Sequence, residues 1–402
     1  MNPITDQRER VSLDVKVASV LSNDSCSGCG ACTLLDSGLT MRESAEGYLR
    51  PVRVEGGSIT SGAASRFSTV CPGVTVRANT SAGTRPHPTM GAYVGVWKAW
   101  ATDPEIRYHG SSGGTLTALS TWLLETGQAA RVTGAAAGVN PRRSVPVTLS
   151  SRADALAAAG SRYTPVAALA NPEVLAADTV IIGKPCEASA ISELHDGDPL
   201  VLSFFCAGTP SARATDQLLR ELQIEDAAPV DELWYRGRGW PGEFTATSGS
   251  TTVRADYDEA WGRVLGPTTQ WRCKVCADGV GERADIVAAD HWEVDERGYP
   301  SFAEGAGVSA LIARTPRGLE TIMRAVADGV IHIEALTMDS LAAVQPLQRD
   351  RRRFLAARLM GSRLAGRRTP KYRGFGLLAL SLSSPRQAVR VLRGTFRRVR
   401  QR

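Results

Sequence analysis

Cys26, Cys29 and Cys32 stand at a strict spacing of three in the stretch DSCSGCGAC (24–32), and that run limits what the N-terminal part of the chain can be. A disulfide framework wants pairs and a structural zinc site wants four ligands, so three thiols require a fourth group from elsewhere. The 402-residue chain holds eight cysteines, the others being Cys71, Cys186, Cys206, Cys273 and Cys276. The opening MNPITDQRERVSLDVKVASV mixes acids with bases and shows no apolar run ahead of a small-residue cleavage site. Nor does any stretch of about 18 apolar residues read as a membrane span. The expectation is a cytoplasmic protein. In that reducing setting the cysteines read as metal ligands or redox groups, not disulfides.

The missing fourth thiol is found in CPG at Cys71. A C-x2-C-x2-C run closed by a distant Cys-Pro is the bacterial ferredoxin pattern, in which close thiolates reach three corners of a [4Fe–4S] cubane and the fourth completes it. Gly28 and Gly30 suit that reading, because amides must turn toward sulfide with little side chain in the way. The alternative is zinc on the same four thiolates, although zinc modules usually bring ligands as two CxxC pairs. Cys186, Cys206, Cys273 and Cys276 lie beyond predicted strands or in a loop, so they are expected to converge at one end of a sheet. They read as ligands of a second cluster. A zinc ion, a mixed ligand set including Asp278, and plain buried thiols are the alternatives.

The rest of the chain predicts an α/β fold with a mostly parallel sheet core. Residues 1–85 form a ferredoxin-like iron–sulfur module ending in the linker-like TSAGTRPHPTMG, 90–175 and 176–345 form the two parts of the sheet domain, and 346–402 form a basic helical tail. ADTVIIGKPCEASAI and DPLVLSFFCAGTPSARATDQLLREL each read as strand, cysteine-bearing loop and helix, and such alternation places functional loops at the carboxyl ends of parallel strands. SGGTLTALSTWLLETG reads as a helix stopped at Gly127, SRADALAAAG as one opened by Ser151, and TPRGLETIMRAVADG as one with Pro316 in its first turn. Residues 230–257 read as antiparallel strands.

Charge is divided unequally. From Arg349 onward the chain carries sixteen Arg, one Lys and one Asp, leaving thirty bases against forty acids in the body. The basic balance therefore belongs to the tail, where Phe354, Leu355, Leu359 and Leu364, then Val389, Leu392 and Phe396, alternate with arginines. Basic amphipathic helices of this kind lie on anionic membrane surfaces or dock on an acidic body. Nucleic-acid binding is not expected, because no aromatic platform accompanies the charge.

Five stretches in order, RYHGSSGGTLTALSTWLLE, AGSRYTP, IGKPCEASAI, FFCAGTPS and WRCKVCADGVGERADI, resemble the coenzyme F420 hydrogenase/dehydrogenase β-subunit family from about residue 90 to about 330. The resemblance implies an α/β flavin and iron–sulfur oxidoreductase that binds FAD and [4Fe–4S], with coenzyme F420 as the soluble hydride carrier of the founding members. By that resemblance Ser111, Ser112, Gly113 and Gly114, with Thr115 following, form the flavin-contacting turn. Exposed amides at a helix N-terminus favour a diphosphate, although an ordinary capped helix start has the same appearance. Ser161, Arg162 and Tyr163 match the family's S-x-Y element, and Lys184, Pro185 and Cys186 its G-T-P-C-Q element. Lys184 and Glu187 depart from the family's Thr and Gln, and a lysine beside a flavin serves to stabilise its reduced anion or contact a phosphate.

The functional expectation is a converter between a two-electron hydride carrier and one-electron carriers, with Lys184 and His109 as candidate catalytic groups. His291 is a second histidine able to face the flavin, while Asp278 and Asp285 read as loop anchors. The expected partner is ferredoxin or a redox partner subunit, with an anionic membrane surface as a further contact of the tail. ADIVAADHW and the basic C-terminus resemble family branches found with bacterial surface-polysaccharide genes. That makes a ferredoxin-dependent reductase of a small or sugar-linked metabolite one alternative. A non-catalytic electron-transfer subunit is the other.

Overall fold

Helix α1 (Pro3–Ser22) opens the chain and buries Leu13, Val17 and Val20, which recur at helical spacing. The computed structural model describes residues 3–195, 197–292 and 305–401. After α1 the cysteine run forms a tight turn in which Gly28 (φ 73°) and Gly30 (φ 89°) adopt left-handed backbone. A Cβ at Gly30 would stand 2.6 Å from the Ala170 nitrogen, so glycine is needed twice over there. A hairpin of β1 (Leu39–Glu43) and β2 (Leu49–Arg53) leads to α2 (Ala63–Val70). Cys71 caps the end of α2, its N–H bonding to the Phe67 carbonyl, and Pro72 prevents the helix from continuing. Strand β3 (Thr75–Arg77) follows.

The central sheet draws its strands from most of the remaining chain. In order come β4 (Gly95–Ala101), α3 (Pro104–His109), α4 (Thr115–Glu125), β5 (Arg131–Ala137), β6 (Ser144–Leu149), α5 (Arg152–Ala157), β7 (Thr179–Gly183), α6 (Pro185–Leu194), β8 (Val201–Phe204) and α7 (Ala212–Glu221). Then β9 (Glu232–Trp234), β10 (Phe244–Ser248) and β11 (Thr251–Ala255) form a small antiparallel sheet, as the alternation in that segment predicts. The chain returns through α8 (Trp271–Lys274), β12 (Ile286–Asp290), β13 (Ser309–Ala313), α9 (Pro316–Ala327), β14 (Ile331–Ala335) and α10 (Met338–Ala343). Eight strands pair in the order β14-β4-β13-β12-β8-β7-β5-β6. β12, β8, β7 and β5 make the parallel core of this α/β fold, and antiparallel strands flank it on both sides. Apart from the terminal Thr179 and Asp290, strands TVIIG and IVAAD are apolar, as strands buried on both faces are. Ser151, Ser211 and Thr315 accept the capping bonds that start α5, α7 and α9.

The N-terminal module shares a core with the sheet. Leu13, Val17 and Phe67 belong to the same buried cluster as Ile181, Ile191, Val287 and Ile312. The expected loop around CKVC is partly helical: Cys273 lies in the single turn of α8 and Cys276 two residues beyond its end. The Cys276 N–H reaches back to the Cys273 carbonyl at 3.3 Å, and that turn brings the pair together.

The basic tail comprises α11 (Pro346–Arg353), α12 (Leu355–Leu364), β15 (Lys371–Arg373), α13 (Leu377–Leu382) and α14 (Pro385–Arg400). It docks on the body. β15 pairs in parallel with β3, and Leu355, Leu359, Phe375 and Val399 share a core with Val76, Trp271 and Val275. Gly361 lets α12 and α14 approach closely, since a Cβ there would stand 2.5 Å from the Leu392 carbonyl oxygen. No described helix is long and apolar enough to cross a membrane.

Candidate functional site

The carboxyl ends of the parallel strands position most of the chemistry-bearing residues. β7 runs directly into Lys184, the residue that caps α6, so Cys186 sits in that helix's first turn. β8 leads through Phe205 to Cys206, whose N–H is held by the Gly279 carbonyl at 2.9 Å. Cys273 accepts weak bonds from the Thr209 N–H at 3.4 Å and the Gln270 amide at 3.6 Å. Cys276 donates to the Asp278 carbonyl at 3.1 Å. Asp278 is not aimed at the thiols: its carboxylate accepts from the Val280 and Glu282 N–H groups. Burial and the neighbouring Glu282 raise its pKa to about 6. Asp285 likewise anchors loops, holding the Val201 N–H, Thr315 and Arg317.

Two groups of thiols result. Cys26, Cys29, Cys32 and Cys71 line one pocket, together with apolar Val17, Val20, Leu21, Met41, Phe67 and Val70. Cys206, Cys273 and Cys276 influence one another electrostatically, and Cys186 feels both Cys206 and Cys29, which makes the two groups neighbours. Among the described residues no three His, Cys, Asp or Glu side chains converge on one point as ligands of a single metal ion. Burial pushes the thiols up, Cys29 to about 11 and Cys206 to about 12, with Cys32, Cys71 and Cys186 raised as well. A ligating thiol must lose its proton. If these thiols hold iron, its loading is therefore expected to release protons and to strengthen as pH rises from 7 toward 9. Anaerobic reconstitution followed with a pH indicator checks this; loading independent of pH would contradict it.

Cations surround the second group. Lys184, Arg272 and Arg351 each lower the cost of negative charge on at least one of these thiols or on Cys71. The Arg272 guanidinium is buried and bonds to the Pro72 carbonyl at 2.8 Å, beside Cys71. Gln270 joins the same two regions, donating to the Ser27 carbonyl at 3.0 Å. Arg351 and Gln348, from the tail, bond to the Cys206 carbonyl at 2.8 and 3.2 Å. None of Gln270, Arg272, Gln348 and Arg351 was marked by any local pattern in the sequence.

Lys184 does not stand free beside a ligand. Its ammonium bonds to Glu187 at 2.5 Å and to the Val166 carbonyl at 2.9 Å, and both side chains are buried. Burial opposes the charge, but Glu187 and then Cys186 hold the Lys184 pKa above its ordinary value. Glu187 also accepts the Lys184 and Ala168 N–H groups. The two departures from the family pattern are thus one ion pair.

The glycine turn lies at the same edge of the sheet. Ser112 and Ser309 hydroxyls are 2.8 Å apart, and the Gly113 N–H donates to Ser309 at 3.0 Å. A Cβ at Gly113 would lie 2.4 Å from the Ala99 carbonyl oxygen. Gly114 (φ 70°) starts α4 without a side-chain cap, which leaves first-turn amides for an anion. The Ser111 and Thr115 hydroxyls are buried with no hydrogen-bond partner among the described residues. Arg236, which sequence reasoning missed, ties this turn to the rest: it bonds to the Ser111 carbonyl at 2.7 Å and Asp290 at 2.6 Å, beneath Trp240, Tyr257 and Trp292. Ser161 pairs with Arg236 backbone to backbone, and the Tyr163 hydroxyl is 3.5 Å from its guanidinium. Burial raises the Tyr163 pKa although Arg236 opposes this. Arg162 points elsewhere, bonding to Ser144 and to the Leu233, Pro141 and Arg143 carbonyls.

The structure therefore gathers Ser111–Thr115, Ser161 and Tyr163 at one place and Lys184, Pro185 and the cysteines at another. The segment 161–170 joins them, since Leu169 bonds to the Cys29 carbonyl and Ala168 to Glu187. His109 ends α3 beside Tyr108, half-buried, and His291 follows β12, with its N–H on the Val308 carbonyl.

Comparison with known proteins agrees with this arrangement. The family model for the coenzyme F420 hydrogenase/dehydrogenase β-subunit N-terminus matches residues 96–171, and that for the C-terminus matches 177–339. The chain is 25% identical over 247 residues to the F420-dependent formate dehydrogenase 1 subunit beta of Methanococcus maripaludis, covering 58% of this chain and 60% of that protein. It thus spans less than two thirds of that relative's length. It is 24% identical over 261 residues to the coenzyme F420 hydrogenase subunit beta of Methanococcus voltae, covering 60% and 84%. A chain of the F420-reducing [NiFe] hydrogenase complex from Methanosarcina barkeri, solved with xenon, shares the fold with a TM-score of 0.51 at 23% identity, over 66% of this chain and 91% of that one.

Proposed function

The chain belongs to the coenzyme F420 hydrogenase/dehydrogenase β-subunit family, an oxidoreductase family, and from that membership we propose that it passes electrons between a hydride carrier of the F420 class and one-electron carriers, using FAD and iron–sulfur clusters. The observation that carries this reading is the gathering of all eight cysteines into two neighbouring groups beside an uncapped glycine-rich helix start. The residues fit both kinds of group. Four thiols lining one apolar pocket, and four more flanked by Lys184, Arg272 and Arg351, suit anionic thiolate-bound clusters. The unpartnered Ser111 and Thr115 hydroxyls and the free amides of α4 suit a phosphate-bearing ligand.

FAD, when bound, supplies two-electron hydride chemistry that can be released as single electrons, which no side chain can do. The chain's own residues have separate tasks. Gly113 allows the turn to press against β4, and Arg236 fixes that turn by its Ser111 and Asp290 bonds. The segment 161–170 holds the turn region and the thiols at a fixed separation. Arg162 secures that segment, and the Lys184–Glu187 pair fixes Cys186 at the head of α6. His109 remains a candidate proton donor. A redox partner subunit or a ferredoxin is the proposed one-electron partner.

Anaerobic purification tests the proposal, with iron, sulfide, zinc and flavin assays on one sample. Two cubanes predict about eight iron and eight sulfide per chain, together with about one FAD. Cys71→Ser is expected to remove about four iron while leaving flavin in place. Zinc without flavin would refute the proposal.

A further inference from the structure

The tail arginines divide into two populations. Two of α11 face inward: Arg351 reaches Cys206, and the buried Arg352 pairs with Glu282. Those of α14 face outward. Arg386, Arg390, Arg393, Arg397 and Arg400 are exposed and stand at i, i+4, i+7, i+11 and i+14, a single stripe. The opposite side packs through Thr395 and Val399. Among the described residues none of the five has a carboxylate at ion-pair distance; Arg400 lies over the Phe396 ring. After Asp350 the chain contains no acidic residue at all.

Exposed aliphatic groups accompany the stripe. Leu378 and Leu382, one turn apart on α13, are each 64% exposed, and Met360, Leu364 and Val389 are also exposed. With Leu347 of α11, the tail therefore holds six of the thirteen exposed large apolar side chains among the described residues, in about a seventh of the chain. Leucines without a core and arginines without acids are two separate unsatisfied features, and a layer with anionic headgroups above acyl chains answers both.

We propose that α13 and α14 form a docking face for an anionic lipid bilayer, with the α14 arginines on the headgroups and Leu378 and Leu382 entering the boundary. Nucleic acid fits less well. It offers nothing to exposed leucines, and the tail presents no aromatic ring for stacking: Phe375 is buried, Phe396 lies under Arg400, and the Tyr372 hydroxyl is bonded to the Val275 carbonyl. Because α11 and α12 lie between this face and the Cys206 and Cys273 loops, docking would hold the second thiol group on the membrane side of the molecule. The proposal rests on the tail alone and is independent of the redox reading.

The test is co-sedimentation of the full-length protein with phosphatidylcholine vesicles, with and without phosphatidylglycerol, at low and high salt. Binding is expected only with phosphatidylglycerol. Each basic residue near an anionic surface contributes about 1 kcal/mol, so R390Q/R393Q should weaken partitioning about thirtyfold. L378S/L382S should abolish the binding that survives high salt. All these sites are exposed, so unchanged thermal unfolding of both variants separates loss of docking from loss of fold. Equal binding to neutral and anionic vesicles, or none to either, would overturn the proposal, as would retention of duplex DNA without retention of vesicles. Unimpaired binding by R390Q/R393Q would also overturn it.

Discussion

Lys184→Thr alone is expected to destabilise the protein by about 3–5 kcal/mol, and Lys184→Thr with Glu187→Gln to recover most of that loss. The reasoning begins with burial. The Glu187 side chain is 1% exposed, and its carboxylate receives one ammonium and two backbone N–H groups. Removing the ammonium leaves a buried carboxylate with only the two backbone N–H groups, beside the buried Cys29 and Cys186 thiols. An uncompensated buried charge is much more costly than the pair itself is stabilising. Glutamine at 187 keeps the shape and one acceptor without the charge, and threonine at 184 keeps the backbone start of α6. Thermal unfolding of the two single variants and the double measures the coupling directly. Additive losses would show that the pair is not a unit. A double variant that loses iron as well as stability would mean the Lys184 charge also serves the adjacent thiols.

This pair shows how much of the site the sequence made legible. Its members were visible as departures from a motif, yet each read alone suggested a ligand contact for Lys184. Only the turn of α6, which sets residues 184 and 187 on one side, shows that they answer each other. The thiols were easier, because C-x2-C-x2-C and CPG are local signals and strand alternation placed Cys186 and Cys206 at the sheet's carboxyl edge. Gln270, Arg236, Arg272 and Arg351 were illegible for the opposite reason. Their partners are Ser27, Ser111, Pro72 and Cys206, more than a hundred residues away, and no spacing rule reaches that far. The tail was ambiguous in kind: a basic amphipathic pattern looks the same whether its apolar side meets protein or lipid. α12 and α14 use one face for protein, and only the packed structure shows which arginines remain outside.

If the thiols hold the iron–sulfur clusters proposed above, Arg272→Met is expected to have opposite effects on the cluster-loaded and the iron-free protein. Arg272 is 2% exposed, and among the described residues no carboxylate pairs with it. Among the described residues its donors meet the Pro72 carbonyl alone, and the titratable groups it faces are Tyr372, Cys276, Cys186 and Cys273. Burial works against its charge, and these groups more than offset that only if they are anionic. In iron-free protein burial holds the Cys186 thiol well above its ordinary pKa, so it carries no charge at neutral pH, and the guanidinium is a buried cation with no carboxylate among the described residues to balance it. Methionine, similar in length and uncharged, then relieves a cost, and the iron-free variant should unfold at the same or a higher temperature than iron-free wild type. In loaded protein the thiolates supply the missing negative charge. A unit charge a few ångström away at an effective dielectric near 20 is worth about 2–4 kcal/mol, so removing it should lower the potential of the neighbouring cluster by on the order of 100 mV. Arg272→Lys keeps the charge and should retain most of the potential while losing the bonds to Pro72. An EPR-monitored redox titration of the three proteins, beside thermal unfolding of their iron-free forms, reads both halves. If Arg272→Met destabilised both forms equally and left the potential unchanged, Arg272 would be a packing element and not the counter-charge between the two thiol groups.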